Sequence, residues 1–280
     1  MATLASTMLN PRLKAMVVPR EHGAWGMLLV PLATGAVVAA KSGINVLSLT
    51  LFVIAALALF WLRTPVEAWL GTSAIKVHTG QERNTVVRVA AMLLLVAVVA
   101  IGALFRLGYS RGLLIVGVVA ALSFALQAGV KRLGRSGRMP AQIIGAVGLT
   151  STAASAYYVA TGHLDLTAMS LWIANWLFAG NQVHFVQLRI HAGRASSLRD
   201  KVQQGYSFLI GQAALMIVIG VLIWLGIFPK LTMLTFVPAL LRGTYWFVQA
   251  PQPLDVHKLG FSELFHSILF GALLCVAFLA

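Results

Sequence analysis

The sequence predicts an all-helical, polytopic membrane protein with about nine transmembrane helices. Hydrophobic residues make up 59% of the 280 positions, whereas charged residues make up only 10%. A soluble domain of this length could not bury so much apolar surface. Several apolar runs also reach the ~20 residues that a helix needs to cross a bilayer. Composition and run length together therefore assign the chain to the membrane class.

Nine apolar segments can be placed between clusters of polar residues. They lie at about 24–40, 45–62, 86–105, 112–129, 141–160, 166–186, 205–226, 231–249 and 261–280. A short amphipathic piece around Leu13 to Val18 precedes them, and no pattern typical of a removable signal peptide is present. We therefore divide the chain into a cytoplasmic N-terminal tail, residues 1–18, and a transmembrane helical domain, residues 19–280.

Lysine and arginine are distributed unevenly along the chain. The tail and the loops after segments two, four, six and eight hold 17 of the 21, and the other loops hold 4. The positive-inside rule then predicts a cytoplasmic N-terminus and an external C-terminus. The net charge of +14 comes from short clusters, which are typical of loops facing anionic lipid. The sequence has no basic patch interleaved with aromatic residues, which is the pattern that would indicate nucleic acid as a partner.

Acids and histidines gather on the same predicted side as the basic residues. Of seven acids only Asp165 lies on the other side, and of seven histidines only His163 does. Acids contribute little to the positive-inside rule, so their concentration needs another cause. A polar cavity open to the cytoplasm is one explanation. The alternative is that short outer loops leave little room for polar residues.

Arg20, Glu21 and His22 stand side by side just before the first apolar run. Charged groups are costly in lipid and persist where they are paired or reach water. The cluster therefore predicts a functional site at the membrane boundary. The alternative is an interfacial anchor, with Arg20 at lipid phosphates and Trp25 in the aromatic belt.

The cytoplasmic connections after segments two and four carry further candidate residues. The connection after segment two is predicted to run from Arg63 to Arg88. Arg63 and Glu67 can pair because helical residues four apart share a face. Lys131 and Arg132 form a basic loop that binds a head group or acts as a topological signal. Segment five, which follows, should be interior because small residues at helical spacing let helix backbones approach closely. These residues are Gly145, Gly148, Thr152 and Ser155.

Segment six is the most polar. Asn181, His184, Leu188 and His191 are spaced three, four and three apart, which places them on one helical stripe. Such groups at membrane depth face the bundle or a water-filled cavity, although His184 could equally be a satisfied interhelical histidine. Two arginines, Arg189 and Arg194, offer planar donor forks suited to phosphate or carboxylate.

Glu263 and His266 enter the last segment three residues apart on one face. A carboxylate beside an imidazole can move protons, but two such groups are a weak metal signal because zinc usually takes three or four ligands. We therefore predict no metal site. Arg242, near the end of segment eight, could equally neutralise Glu263.

Three motifs resemble the YwiC-like family of bacterial membrane proteins. They are the opening Arg20-Glu21-His22-Gly23-Ala24-Trp25, the sequence Arg63-Thr64-Pro65, and Gly260 with Glu263. The resemblance implies a multi-pass protein of the bacterial cytoplasmic (inner) membrane. It implies no activity, because none is established for that family.

The layout is also distantly similar to the UbiA superfamily of intramembrane prenyltransferases. The shared features are a cytoplasmic N-terminus, large cytoplasmic loops after segments two and six, and Lys131-Arg132 before a glycine-rich segment five. In that superfamily Asp-rich motifs in the two loops hold Mg²⁺ on a prenyl diphosphate. Here the first loop offers Glu67 and Glu82, and the second only Asp200. Hard cations need several oxygen ligands, and these two loops supply few. The resemblance therefore implies a shared fold but gives little support for a shared metal site. The cofactor stays unknown, with Mg²⁺ as a weak candidate.

Three functions are consistent with these observations. The first is an intramembrane enzyme, a UbiA-like transferase acting on an isoprenoid or anionic lipid in a cytoplasm-facing cavity. The others are a transporter for a small anion or metabolite, and a non-catalytic membrane subunit. For the enzyme, the candidate catalytic groups are Glu21, His22, His184 and Glu263. The candidate substrate-binding groups are Arg20, Arg63, Glu67, Lys131, Arg132, Asn181, Arg189, His191, Arg194 and His266.

Overall fold

The computed structural model of the chain describes residues 11–19, 22–71, 75–134, 137–193, 195, 197–249 and 254–280. Within these ranges all regular secondary structure is helical, which confirms the predicted class. The α-helices are α1 (Pro11–Val17), α2 (His22–Ala39), α3 (Val46–Trp69), α4 (Gly80–Arg106), α5 (Ser110–Lys131), α6 (Arg138–Thr150), α7 (Thr152–Thr161), α8 (Leu166–His191), α9 (Leu198–Trp224), α10 (Thr232–Val248) and α11 (Val256–Leu279).

Each of the nine predicted apolar segments coincides with a helix or, for segment five, with the pair α6 and α7. In the described ranges, seven spans are long and apolar enough to cross a membrane: α2 to α5, the α6–α7 pair, α9 and α11. Polar side chains distinguish α8 from these, and α10 is shorter, at 17 residues. The chain is therefore a multi-pass membrane protein that lies in a lipid bilayer.

The first of two compact units contains α1, α3 and α4. Its N-terminal helix is amphipathic as predicted, with Leu13 and Met16 buried. Met16 packs in a small core with Ala68 of α3 and Val86 of α4. The Trp61 indole donates to the carbonyl of Val17 at 2.6 Å. The predicted amphipathic piece is thus attached to the two long helices of this unit.

The connection after α3 is shorter than the sequence indicated. We expected a loop from Arg63 to Arg88, but α3 runs on through Pro65 to Trp69, and α4 begins at Gly80. Proline removes only one helical hydrogen bond, and near a helix end the freed carbonyl is readily satisfied. Thr79 then caps α4 through the backbone N–H of Glu82, and the Glu82 carboxylate accepts from the Thr79 N–H.

The second unit contains α2 and α5 to α11. In it α2 packs on α7 and α11, α6 on α8, and α10 on α11. Gly35 lies so close to the backbone of Ala153 that a side chain could not be inserted. Phe178 of α8 stacks on Phe270 of α11 with ring centroids 4.0 Å apart. These contacts bring α8, α10 and α11 together around the polar groups described below.

Segment five is interior, as its small residues predicted. Gly145 packs against Gln127, and Gly148 packs against Phe124, both of α5. The segment is not one continuous helix, because α6 ends at Thr150 and α7 begins at Thr152. The hydroxyl of Ser151 between them donates to the carbonyl of Gly148 at 2.7 Å, which satisfies a backbone group at the break.

Candidate functional site

A row of polar side chains at seven-residue spacing runs along α8. Asn175, Gln182 and Arg189 occupy the same face because seven residues make nearly two helical turns. The Gln182 amide donates to the backbone carbonyl of Glu263 and to the hydroxyl of Ser267, both at 2.8 Å. This face of α8 therefore holds the beginning of α11 through buried hydrogen bonds.

Arg242 of α10 and Glu263 of α11 form a buried ion pair. Arg242 Nη1 lies 2.6 Å from Glu263 Oε1, and the two side chains are only 9% and 10% exposed. The alternative stated from the sequence, that Arg242 neutralises Glu263, is confirmed. An unpaired charge at this depth would be costly, so each residue makes the other tolerable.

The ion pair uses only part of the hydrogen-bonding capacity of Arg242. Its Nε and Nη2 atoms are buried and have no partner among the described residues. These two atoms form the side-on edge of the guanidinium, whose parallel N–H groups match the two oxygens of a carboxylate or phosphate. The Phe185 ring lies 4.2 Å from the guanidinium carbon, a cation–π contact that fixes the plane of the group.

The carboxylate of Glu263 is also only partly satisfied. Its Oε2 atom is buried and has no hydrogen-bond partner in the described part of the chain. The amide of Gln182 lies nearby but directs its two N–H groups elsewhere, to the Glu263 backbone and to Ser267. The pair therefore presents two donors and one acceptor with no partner in the described residues.

Arg189 is a further cation next to this pair, and Lys201 is in turn next to Arg189. Arg189 interacts electrostatically with Glu263 and with Lys201. The buried Lys201 ammonium donates to the carbonyls of Trp246 at 3.0 Å and Gln249 at 2.6 Å, at the end of α10. Arg242, Arg189 and Lys201 thus outnumber the single carboxylate of Glu263, and the summed charge of these four side chains is positive by two, which favours an anionic ligand.

The histidines differ in their surroundings. His266 is half-buried, and its Nδ1 lies 2.7 Å from the Ser262 carbonyl. A carbonyl only accepts, so Nδ1 carries the proton and the other ring nitrogen of a neutral His266 is an acceptor. His184 is half-buried, with its ring edge against Phe208. His191 is exposed and contacts the Gln187 carbonyl through Nδ1.

Some predicted site residues lie elsewhere in the described structure. Arg63 and Glu67 form the anticipated ion pair in the first unit, 2.8 Å apart and about one-third exposed. Lys131 and Arg132 are exposed at the end of α5. Asn181 is buried, with a side-chain oxygen that has no partner among the described residues.

Two charged residues of the opening motif lie outside the part of the chain that the structure describes. Arg20, Glu21 and Arg194 are not among the described residues, and His22 is described only as the first residue of α2. In the described ranges, no three histidine, cysteine or acidic residues are grouped so that they could hold a metal ion.

Three residues of the site are not among those predicted from the sequence: Gln182, Lys201 and Ser267. A usable signal was present for the first of these, because Asn175, Gln182 and Arg189 recur every seven residues. Lys201 lay in a connection rich in charges, where a buried lysine has no distinguishing local pattern. Ser267 is four residues after Glu263, but a serine in an apolar helix is common.

The fold and the buried site define a multi-pass membrane protein with a partly satisfied arginine–glutamate pair in its second unit. Residues 18–157, half of the chain, match the sequence model of the family described as YwiC-like protein. The chain therefore belongs to the YwiC-like family. The matched range includes the opening motif and Arg63-Thr64-Pro65 but ends before α8 to α11. No curated protein and no solved structure matches the chain.

Proposed function

We propose that this YwiC-like protein binds the anionic head group of an isoprenoid or lipid within the membrane and acts on it as an intramembrane enzyme. One observation carries the proposal: the side-on edge of Arg242 is buried and without a partner among the described residues. A buried donor without an acceptor costs about 1–3 kcal/mol. An oxyanion bound to this edge would remove that cost.

The surroundings of Arg242 favour a negatively charged ligand. Glu263 uses one oxygen for Arg242, while Arg189 and Lys201 add two positive charges nearby. A phosphate or diphosphate group carries the charge and the several acceptor oxygens that this arrangement fits. The apolar helices around it suit a hydrophobic chain, so an amphiphile is the favoured class over a free anion.

Acid–base groups next to the proposed head group support an enzyme rather than a simple receptor. Glu263 Oε2 is an acceptor without a partner in the described residues, and His266 can accept through its second nitrogen. Either group could take a proton from an acceptor substrate. The distant similarity to the UbiA layout supports transfer of the isoprenoid group. We also propose that the N-terminus is cytoplasmic and that the protein lies in the bacterial inner membrane.

Binding to the purified protein in detergent tests the head-group proposal. A polyprenyl monophosphate, a polyprenyl diphosphate and phosphatidic acid should bind, whereas the matching uncharged isoprenol should bind much more weakly. Arg242→Lys keeps the charge but loses the side-on fork, so affinity should fall about 10- to 100-fold, as expected for one or two hydrogen bonds to a charged group. Arg138→Lys, at an exposed position, is the matched control.

Two further measurements separate the enzyme from the alternatives. Incubation of a bound prenyl diphosphate with quinol or porphyrin acceptors, with and without Mg²⁺, should give a prenylated product and an equal amount of free diphosphate. Uptake of the ligand into proteoliposomes without product would instead support a transporter. Equal affinity of Arg242→Lys and Arg138→Lys, or no binding of any anionic amphiphile, would contradict the proposal and favour a non-catalytic subunit.

A further inference from the structure

A small cavity lies within the second unit, where α2, α6, α8 and α11 meet. It has room for about one water molecule. Its wall includes Gly26, Met27 and Pro31 of α2 and Asn175 and Gln182 of α8. The cavity is also lined by Thr150, Phe178, Ala179 and Ser267.

The side-chain nitrogen atoms of both amides in the wall already donate to partners. Asn175 Nδ2 donates to Leu171 O at 2.8 Å and to Thr34 Oγ1 at 3.1 Å. Gln182 Nε2 donates to the backbone of Glu263 and to a serine hydroxyl. Because backbone carbonyls only accept, these bonds fix which end of each amide is nitrogen. Both N–H groups of each amide are therefore used, and its oxygen has no donor among the described residues.

The other polar groups in the wall are acceptors as well. Pro31 has no N–H, so the helical hydrogen bond to the Met27 carbonyl one turn earlier cannot form. The hydroxyl of Thr150 donates to the carbonyl of Ala146 at 2.7 Å, which leaves its oxygen only as an acceptor. The cavity is thus lined by oxygen acceptors that need a small ligand able to donate hydrogen bonds.

We propose that this cavity binds one ordered water molecule, which donates to two of the three oxygens Met27 O, Asn175 Oδ1 and Gln182 Oε1. Water fits because it supplies two donors in the space available. A sodium ion fits less well, since the wall contains no carboxylate to offset the loss of its hydration. The water links the proline-containing helix α2 to α8, beside the amide that holds α11. The proposal does not depend on the function proposed above.

Two glycine substitutions test the proposal by the sign of their effects. In Gly26→Ala the added Cβ would lie 3.7 Å from Leu264 Cδ1 and from Ser267 Oγ, so it fits sterically. Gly26 and Ser267 both line the cavity, so the methyl group is added at the cavity wall. In Gly180→Ala, the matched control inside α8, the nearest atom lies 4.0 Å away. Both changes favour the helix. We expect Gly180→Ala to raise the melting temperature and Gly26→Ala to lower it, because the methyl group displaces the water.

A proline substitution and an ion exchange complete the test. In a Pro31→Ala background the Met27 carbonyl gains a donor, so the loss caused by Gly26→Ala should become smaller. If Gly26→Ala instead raises the melting temperature at least as much as Gly180→Ala, the cavity is dry and the proposal is wrong. A rise in melting temperature on replacing choline chloride with sodium chloride, abolished in Asn175→Leu, would identify a cation and also overturn it.

Discussion

Removal of one member of the Arg242–Glu263 pair is expected to cost far more than removal of both. The charges are 2.6 Å apart and about 90% buried. With an effective dielectric constant of about 20, their attraction is roughly 6 kcal/mol, which is comparable with the cost of desolvating two ions. The intact pair is therefore close to neutral in free energy. A single substitution leaves one buried charge uncompensated, which costs about 3–5 kcal/mol.

Unfolding of the purified protein by a denaturing detergent, followed by tryptophan fluorescence, measures these differences. We expect Arg242→Met and Glu263→Met each to lose about 3–5 kcal/mol, and the double variant that combines these two substitutions to remain within about 1 kcal/mol of the parent. The partly exposed pair Arg63–Glu67 is the control, with an expected coupling of about 0.3–0.5 kcal/mol. If the two single effects at the buried pair simply add in the double variant, the residues are uncoupled and the reasoning is refuted.

Two other predictions concern a helix contact and a helix cap. Gly35→Ala should prevent folding of the second unit, because its Cβ would overlap the Ala153 carbonyl oxygen, whereas Gly117→Ala, with nothing within 4 Å, should give normal yields of folded protein in size-exclusion chromatography. The pKa of Asp255 is lowered from its ordinary value of 3.8, chiefly because the Lys258 backbone N–H donates to the carboxylate. The ionised carboxylate therefore stabilises the folded protein above pH 3.8, and this stabilisation is lost as the pH falls through the lowered pKa. Melting curves between pH 2 and 6 should show this loss in the parent but not in Asp255→Asn, and identical pH dependence would contradict it.

The fold class and the helix positions could be predicted because their signals are local. A run of about 20 apolar residues forms a helix in a bilayer, because a helix satisfies all of its backbone hydrogen bonds without help from the rest of the chain. The amphipathic piece around Leu13 and the pairing of Arg63 with Glu67 likewise depend only on helical spacing. The end of α3 was not predictable in this way, because Pro65 is compatible with a helix that stops or with one that continues for another turn.

The site was less predictable because it depends on how helices face one another. On α8, the stripe that includes Asn181 and His184 and the row of Asn175, Gln182 and Arg189 both satisfy helical periodicity. Adjacent positions differ by about 100° around the helix, so choosing between the rows requires knowing the neighbouring helix. The structure resolves this for one row, since Gln182 contacts α11 directly.

If stability alone determined these two positions, apolar residues would be expected there instead of an ion pair. Replacing a buried ion pair with apolar residues of similar volume is often neutral or stabilising, and hydrocarbon surroundings strengthen that preference. Arg242 also has two buried donors without partners in the described residues, which adds cost that an apolar side chain would not incur. A double apolar variant that folds normally but no longer binds an anionic amphiphile would therefore separate the two explanations. It would show that the pair is needed for the ligand and not for the bundle.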